Sequence, residues 1–372
     1  MAWSYEPSMH RALDAGAPVY RGEMDLAAEV ASLADDFSGV VRVDRGGTTV
    51  LDLAFGLADR RHGLPMSVDS QVAMASGCKG MTALAVMSLV EDGTLALGTT
   101  ARSLLRDDLP LIADDVTVEH LLGHRSGIGD YLDEDVESDI DDYALPVPMQ
   151  ELATTEQFLA VLDGFPTKFP ADERFSYCNG GFVVLALLAE RASGIDFHDL
   201  VSERVLAPAG MADSGFLRSD SLPGRAALGY VEMGGQWRTN VFHLPVRGNG
   251  DGGMYTTTAD MRRFWAALFA GEIVSRETVA LMTRPRSEVP EERQRYGLGF
   301  WLHASRDVPG LNGYDAGVSF RSFHDPAEQL TVTVVGTTSA GAWPVARLLE
   351  DRLVTTGPAG SPATGVSRDA SL

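Results

Sequence analysis

Apolar and polar positions alternate in two regimes along the chain. Near the start, residues 38–44 (SGVVRVD) and 48–55 (TTVLDLAF) are rich in β-branched side chains and flank Arg45-Gly46-Gly47, a pattern that predicts two short strands in a hairpin. From 76 to about 270 the pattern becomes mainly helical, in 81–93, 117–124, 155–164, 181–194, 198–210 and 258–271. Several of these runs end in Gly, as helices commonly do. Strand signals return in 296–303, 318–323 and 330–336, before a last helical run near 343–354. Residues 355–372, rich in Gly, Pro, Ser, Thr and Ala, read as a disordered tail. Strands at both ends around a helical middle predict one sheet assembled from about 26–75 and 290–354, with the mainly helical region 76–289 inserted as a lobe. Residues 1–25 are then an N-terminal extension, and a site is expected where lobe and sheet meet.

Composition narrows the function classes. The 372 residues carry 52 Asp and Glu against 30 Lys and Arg, a formal charge of −22. Nucleic acid and anionic membrane surfaces both call for clustered positive charge, so neither is an expected partner. With 45% hydrophobic residues the chain can close a large core. Two cysteines cannot form a disulfide framework, and the opening MAWSYEPSMHRALDAGAP lacks the basic and apolar regions of a secretory signal. A cytoplasmic location is expected.

Candidate chemistry starts at Ser76-Gly77-Cys78-Lys79, just before an apolar helical run. Residues i and i+3 of a helix share a face, so a desolvated Lys could take the hydroxyl proton. Alone, S-x-x-K equally describes an exposed Ser and Lys at a helix start. About a hundred residues on, Tyr177-Cys178-Asn179 precedes another apolar helix and could present a phenol and a carboxamide to one cavity. A buried Tyr with a capping Asn fits those residues too.

Order and spacing decide between these readings. Together with VEHLLGHRSGIGDY (118–131) and GDGGMYTTTADMRRF (250–264), the two motifs make the chain resemble the serine β-lactamase and penicillin-binding-protein superfamily, in its class C-like branch of DD-peptidases and esterases. The resemblance runs from about 26 to 354. It implies an α+β fold of the β-lactamase/transpeptidase type, with an antiparallel sheet flanked by helices. It also implies Ser76 as acyl-accepting nucleophile, Lys79 as its proton partner, Tyr177 as general base or acid, and Asn179 on the acyl side of the substrate. Backbone N–H groups, one of them from Ser76, would form the oxyanion hole. Lys79 and Tyr177 would titrate as a pair, which leaves the division of proton transfer open.

The third motif departs from the family's K-T-G or H-x-G. Two registers fit: Leu311-Asn312-Gly313, with Tyr314 supplying an oxyanion N–H, or Asp315-Ala316-Gly317. The first is preferred, because Asp-Ala-Gly before a strand resembles the segment that follows H-x-G in esterase-like members. Leu311, Asn312, Gly313 and Tyr314 are therefore expected beside the substrate. Either register lacks the cation that helps relatives bind a substrate carboxylate.

Other features point elsewhere. His120 and His124 stand at i and i+4, but Glu119 precedes the first His and Gly123 sits inside the turn, so both are expected to be structural rather than zinc-binding. No G-x-S-x-G or phosphate-binding loop is present. Cys78 lies about 200° around the helix from Ser76 and should point into the core; Cys178 is expected to be a buried free thiol as well. Asp130 to Asp142 holds eight acids and no base, a segment expected to be a solvated loop; the resemblance implies that the chain here runs close to the cleft, where it could instead screen ligands by charge.

The expectation is a serine hydrolase without metal or organic cofactor, acting on a small ester or amide and most simply a carboxylesterase. The alternatives are a DD-peptidase or D-amino-acid amidase, a β-lactamase-like enzyme, a biosynthetic acyltransferase, or a catalytically weak binding protein on the same fold.

Overall fold

The computed structural model describes residues 21–34, 37–135 and 139–355. The hairpin forms as the pattern requires, with β1 (Gly39–Arg45) and β2 (Thr48–Phe55) joined through the Gly46-Gly47 turn. The C-terminal part adds β3 (Ser287–Val289), β4 (Gln294–Tyr296), β5 (Trp301–His303), β6 (Pro309–Asp315), β7 (Val318–Asp325) and β8 (Leu330–Gly336). They form one eight-stranded sheet in the order β2-β1-β8-β7-β6-β5-β4-β3, antiparallel at every step. The two ends of the chain meet at β1 and β8, where Val40 pairs with Val335 and Val41 with Val334.

Strands β7 and β8 are buried at every position, because helices cover both faces. On one face Phe320 and Val335 join the core of α2 (Lys79–Glu91), α3 (Asn179–Ser193) and α4 (Thr258–Ala270). On the other, Phe323, Val332 and Val334 pack with Val30 of α1 (Arg21–Ser32) and with Val345 and Leu349 of α5 (Trp343–Glu350). The polar residues interleaved in these strands pair among themselves, Ser322 Oγ with Thr333 Oγ1 at 2.8 Å and His324 Nδ1 with Thr331 Oγ1 at 2.9 Å, so that burial leaves them satisfied.

Helices α2 and α3 are the core of the inserted lobe. Both are apolar on all sides and buried over residues 79–89 and 179–189, as expected of helices with no solvent face. Three details differ from the sequence pattern. Residues 296–303 form parts of two strands rather than one, because a Gly297 N to Phe300 O hydrogen bond (3.0 Å) reverses the chain between them. Strand β6, PGLNGYD, is poor in strand-forming residues and is held instead by pairing with β5 and β7. Helix α1 begins inside the stretch expected to be an extension, since Leu26, Ala27 and Val30 bury one face against the sheet. The expected tail falls, from residue 356 on, outside the described residues.

Candidate active site

The candidate nucleophile lies where lobe and sheet touch. Ser76 sits in a 3₁₀ turn (Ala75–Cys78) that runs directly into α2, whose first residue is Lys79. Two glycines allow this turn to lie on the sheet. A Cβ on Gly77 would stand 2.5 Å from the Phe320 ring of β7, and one on Gly313 of β6 would stand 2.0 Å from the Met74 carbonyl oxygen. Gly317 meets Tyr230 and Asn240 instead. Of the two possible registers, the first is the one whose glycine meets the Ser76 turn.

Lys79 is 3% exposed, and its ammonium donates to Ser76 Oγ (2.9 Å), Asn179 Oδ1 (2.9 Å) and the Asp251 carbonyl (2.7 Å). Three donors thus meet three acceptors. Its nitrogen also lies 4.9 Å from the centre of the Tyr177 ring. The sequence spacing had predicted the Ser76–Lys79 contact, and the fold adds Asn179 and Tyr177 from a hundred residues away.

Tyr177 is boxed by His124 at 4.3 Å and stacked on Trp301 at 5.9 Å between ring centres. Burial pushes its phenol well above the ordinary tyrosine value, with Glu134 adding to the rise and a hydrogen bond to Ser76 opposing it. Tyr177 is therefore a protonated phenol beside the Ser76 hydroxyl. Asn179, at the start of α3, accepts from Lys79 with its carboxamide oxygen and donates its Nδ2 to the Leu132 carbonyl (3.0 Å) and Glu134 Oε1 (3.1 Å). An incoming substrate amide must displace one of these acceptors.

Above the turn opens a cleft of about 310 Å³ lined by Ser76, Asn179 and Tyr314 among others. Its acidic lining comprises Asp133, Glu134, Asp251 and Asp315, and its apolar lining includes Leu217, Val241, Leu244 and Val246. Among the described residues no Lys, Arg or His lines it. Three expected substrate contacts need correction, since of Leu311, Asn312, Gly313 and Tyr314 only Tyr314 lines the cleft, and Gly313 lies against the Met74 carbonyl. Leu311 is 2% exposed and packs on Gly80 in the core, and Asn312 points the other way along the strand and accepts a hydrogen bond from Arg321. Alternation along β6 sends 311, 313 and 315 to the lobe side, and only its far end reaches the cleft. The residue that does so on that side is Asp315, whose carboxyl is pushed up to about 7 by burial, with Asp251 also raising it and Lys79 opposing.

The acidic segment is less solvated than its composition suggested. Asp130 is buried, and its carboxylate accepts the N–H groups of Asn179 and Gly180 at 2.5 and 2.8 Å, a favourable place for an anion at a helix start. Burial nonetheless pushes that carboxyl up to about 7. Asp133 and Asp135 both pair with Lys168, at 2.8 and 2.6 Å. The segment does run along the cleft, through Tyr131, Leu132, Asp133, Glu134 and Ile140.

Sequence reasoning missed Asp130, Tyr131, Asp251 and Asp315 as site residues. The signal available for Asp251 was its place between glycines in a segment already matched to the family. Both histidines have structural contacts: His120 Nδ1 accepts from Thr117 N (3.3 Å) in a capping box, and His124 Nδ1 accepts from Cys178 N (3.1 Å). Among the described residues no group of three or more His, Cys, Asp or Glu could hold a metal ion, and no helix is long and apolar enough to cross a membrane. Cys78 and Cys178 are free and buried, with Cys78 Sγ 3.7 Å from the Asn249 carbonyl on the core side.

Comparison with known proteins identifies relatives of this chain. The family model described as Beta-lactamase matches residues 26–355. A penicillin-binding protein of Bacillus subtilis is 26% identical over 298 residues, covering 76% of this chain and 63% of that protein. The chain thus spans less than two thirds of that relative. An esterase of Burkholderia gladioli is 31% identical over 313 residues, covering 74% of this chain and 76% of the esterase. The crystal structure of a penicillin-binding protein from Bacillus halodurans superposes with a TM-score of 0.82 at 34% identity, over 89% of this chain and all of that one.

Proposed function

The chain belongs to the beta-lactamase family, and from that membership together with the site geometry we propose that it is a serine hydrolase acting through an acyl-enzyme on Ser76, most simply a carboxylesterase for small esters or amides. The observation that carries the reading is that Ser76, which lines the cleft, has the buried Lys79 nitrogen 2.9 Å from its Oγ. Ser76 Oγ attacks the substrate carbonyl carbon, the carbonyl oxygen takes the negative charge, and the N–H groups of Ser76 and Tyr314 receive it. Once one proton has left the Lys79–Tyr177 pair for solvent, the pair takes up the Ser76 proton, and the same proton passes through the Tyr177 phenol to the leaving group. Water then attacks the ester carbonyl of the acyl-enzyme and releases the acid, restoring the Ser76 hydroxyl.

The acid-lined cleft favours neutral or cationic substrates. A substrate carboxylate would find no cationic partner on its walls, which sets this reading ahead of a β-lactamase or DD-peptidase. The same lining supports a second reading, an amidase or peptidase for substrates that carry an ammonium group. Two buried free thiols support a reducing, cytoplasmic setting. The test is hydrolysis of a panel of p-nitrophenyl esters, amino-acid amides and a chromogenic cephalosporin by the wild type and Ser76→Ala. Ester turnover exceeding the other two and lost by roughly 10⁴-fold or more in the variant supports the proposal. Equal turnover in both proteins overturns it.

A further inference from the structure

Besides Ser76, the Lys79 ammonium has two acceptors, Asn179 Oδ1 and the Asp251 carbonyl, which belong to different parts of the lobe. Asn179 opens α3, and Asp251 lies in the loop 248–253 that wraps the start of α2. Both are secured from a single place. The Asp130 carboxylate accepts the N–H groups of Asn179 and Gly180, and the hydroxyl of the next residue, Tyr131, donates to the Asp251 carboxylate. Tyr143 in turn donates to the Tyr131 carbonyl at 2.7 Å, anchoring the pair to the wall of the cleft.

We propose that Asp130 and Tyr131 are the positioning residues of Lys79: Asp130 holds the backbone of Asn179 and Tyr131 the side chain of Asp251, the two residues whose oxygens aim the Lys79 nitrogen at Ser76. The proposal rests on the reading of Ser76 as nucleophile and adds a cause for the alignment of its partner. An ammonium at the end of four methylenes has no preferred direction of its own. Its direction is set by its acceptors, and supporting hydrogen bonds must hold those to within about 0.5 Å for a productive geometry.

The arrangement has a pH signature. Asp251 is buried, and it faces Lys79 and Cys78 of the α2 start, Tyr131, Asp130 and Tyr143 of the acidic segment, Tyr177 before α3, and Asp315 of β6. Desolvation raises its carboxyl, while Lys79 and the Tyr131 hydroxyl pull it down. Tyr131 is itself pushed well above the ordinary tyrosine value by burial and the Asp251 charge, so it remains a donor across the working range. Removing that hydroxyl makes Asp251 hold its proton to higher pH. The acid limb of any rate that needs the ionised carboxylate then moves upward.

The experiment measures the rate at which a fluorophosphonate probe labels the full chain, by intact mass, from pH 5 to 9, in the wild type, Tyr131→Phe, Asp130→Asn and Ser76→Ala. Tyr131→Phe is expected to label about tenfold more slowly, the worth of one hydrogen bond to a charged group, with its acid limb shifted upward by half a unit or more. Asp130→Asn, which keeps one acceptor oxygen, is expected to slow labelling by a smaller factor. Tyr131→Phe labelling at the wild-type rate, or slowed uniformly with the limb unmoved, overturns the proposal, the second result marking a merely structural tyrosine. Wild-type rates in Asp130→Asn overturn the half that concerns Asn179. A wild type that takes no probe, or a Ser76→Ala that still takes it, removes the nucleophile assignment itself and is distinguished in the same series.

Discussion

The two walls of the cleft are built by different means. On the sheet side, the Ser76 turn is set by steric fit: Gly77 against the Phe320 ring, Gly313 against the Met74 carbonyl, and Leu311 in the core beneath Gly80. On the lobe side, hydrogen bonds and charge do the work, through Asp130 on the α3 amides, Tyr131 on Asp251, and Lys168 between Asp133 and Asp135. A sterically built wall should respond to substitution abruptly and with little dependence on pH or salt. A wall built from buried carboxyls should respond by degrees, and both pH and salt should tune it.

The largest expected effect lies on the sheet wall. Gly313→Ala forces its new methyl into the Met74 carbonyl, shifts the Ser76 turn, and should lower kcat/KM by about 100-fold, the usual consequence of a misplacement near 1 Å. The loss should be the same at low and high salt; a salt-dependent loss would place charge on this wall after all. Leu311→Ala sharpens the contrast within the same strand. It should cost about 2–5 kcal/mol of stability as a core truncation, seen as a lower urea midpoint, while KM for a small ester stays within about twofold because the side chain does not line the cleft. A KM change without a stability change would return Leu311 to the substrate site.

Smaller effects belong to the lobe side and its acidic neighbours. In a matched series of cationic, neutral and anionic esters, kcat/KM should fall in that order by roughly tenfold across the series at low ionic strength. At 1 M salt, where screening acts within about 3 Å, the series should converge. Equal rates at low salt would show that the four carboxyls do not act on the substrate. Asp315→Asn should have the smallest effect, on stability. A carboxyl raised from 3.8 to about 7 in the fold keeps its proton in the native state after the unfolded chain has lost it. Stability therefore declines as pH rises through that window and is lower above it than below. The variant should melt about 1–3 °C higher than the wild type at pH 8 and no higher at pH 3.5, by differential scanning calorimetry. A gain independent of pH would assign the effect to packing.

Legibility in the sequence divides along the same line. The S-x-x-K spacing fixed a contact within one helical turn, and the β-branched runs of β1, β7 and β8 marked strands that are buried by their own composition. The joining of β1 to β8 followed from strands at both ends of the chain. What the sequence pattern did not disclose depends on contacts between distant segments. Strand β6 is made by its neighbours, since Pro309, Gly310, Asn312 and Gly313 carry little strand preference. Its alternation, which turns Leu311 into the core and Asp315 toward the cleft, could be read only once that pairing was known. The acids of 130–142 looked alike in sequence, yet Asp130 is a buried helix partner, Asp133 and Asp135 share a lysine, and Glu134 meets Asn179. Their differences arise from Lys168 and the α3 start, which lie tens of residues away.

The central claim is that Ser76 is the residue that becomes acylated, and the most direct measurement is mapping of the fluorophosphonate adduct by peptide mass spectrometry on the intact-fold protein. One adduct per chain is expected, located on Ser76, and none in Ser76→Ala. No adduct on the wild type, or an adduct on any other residue, would contradict it.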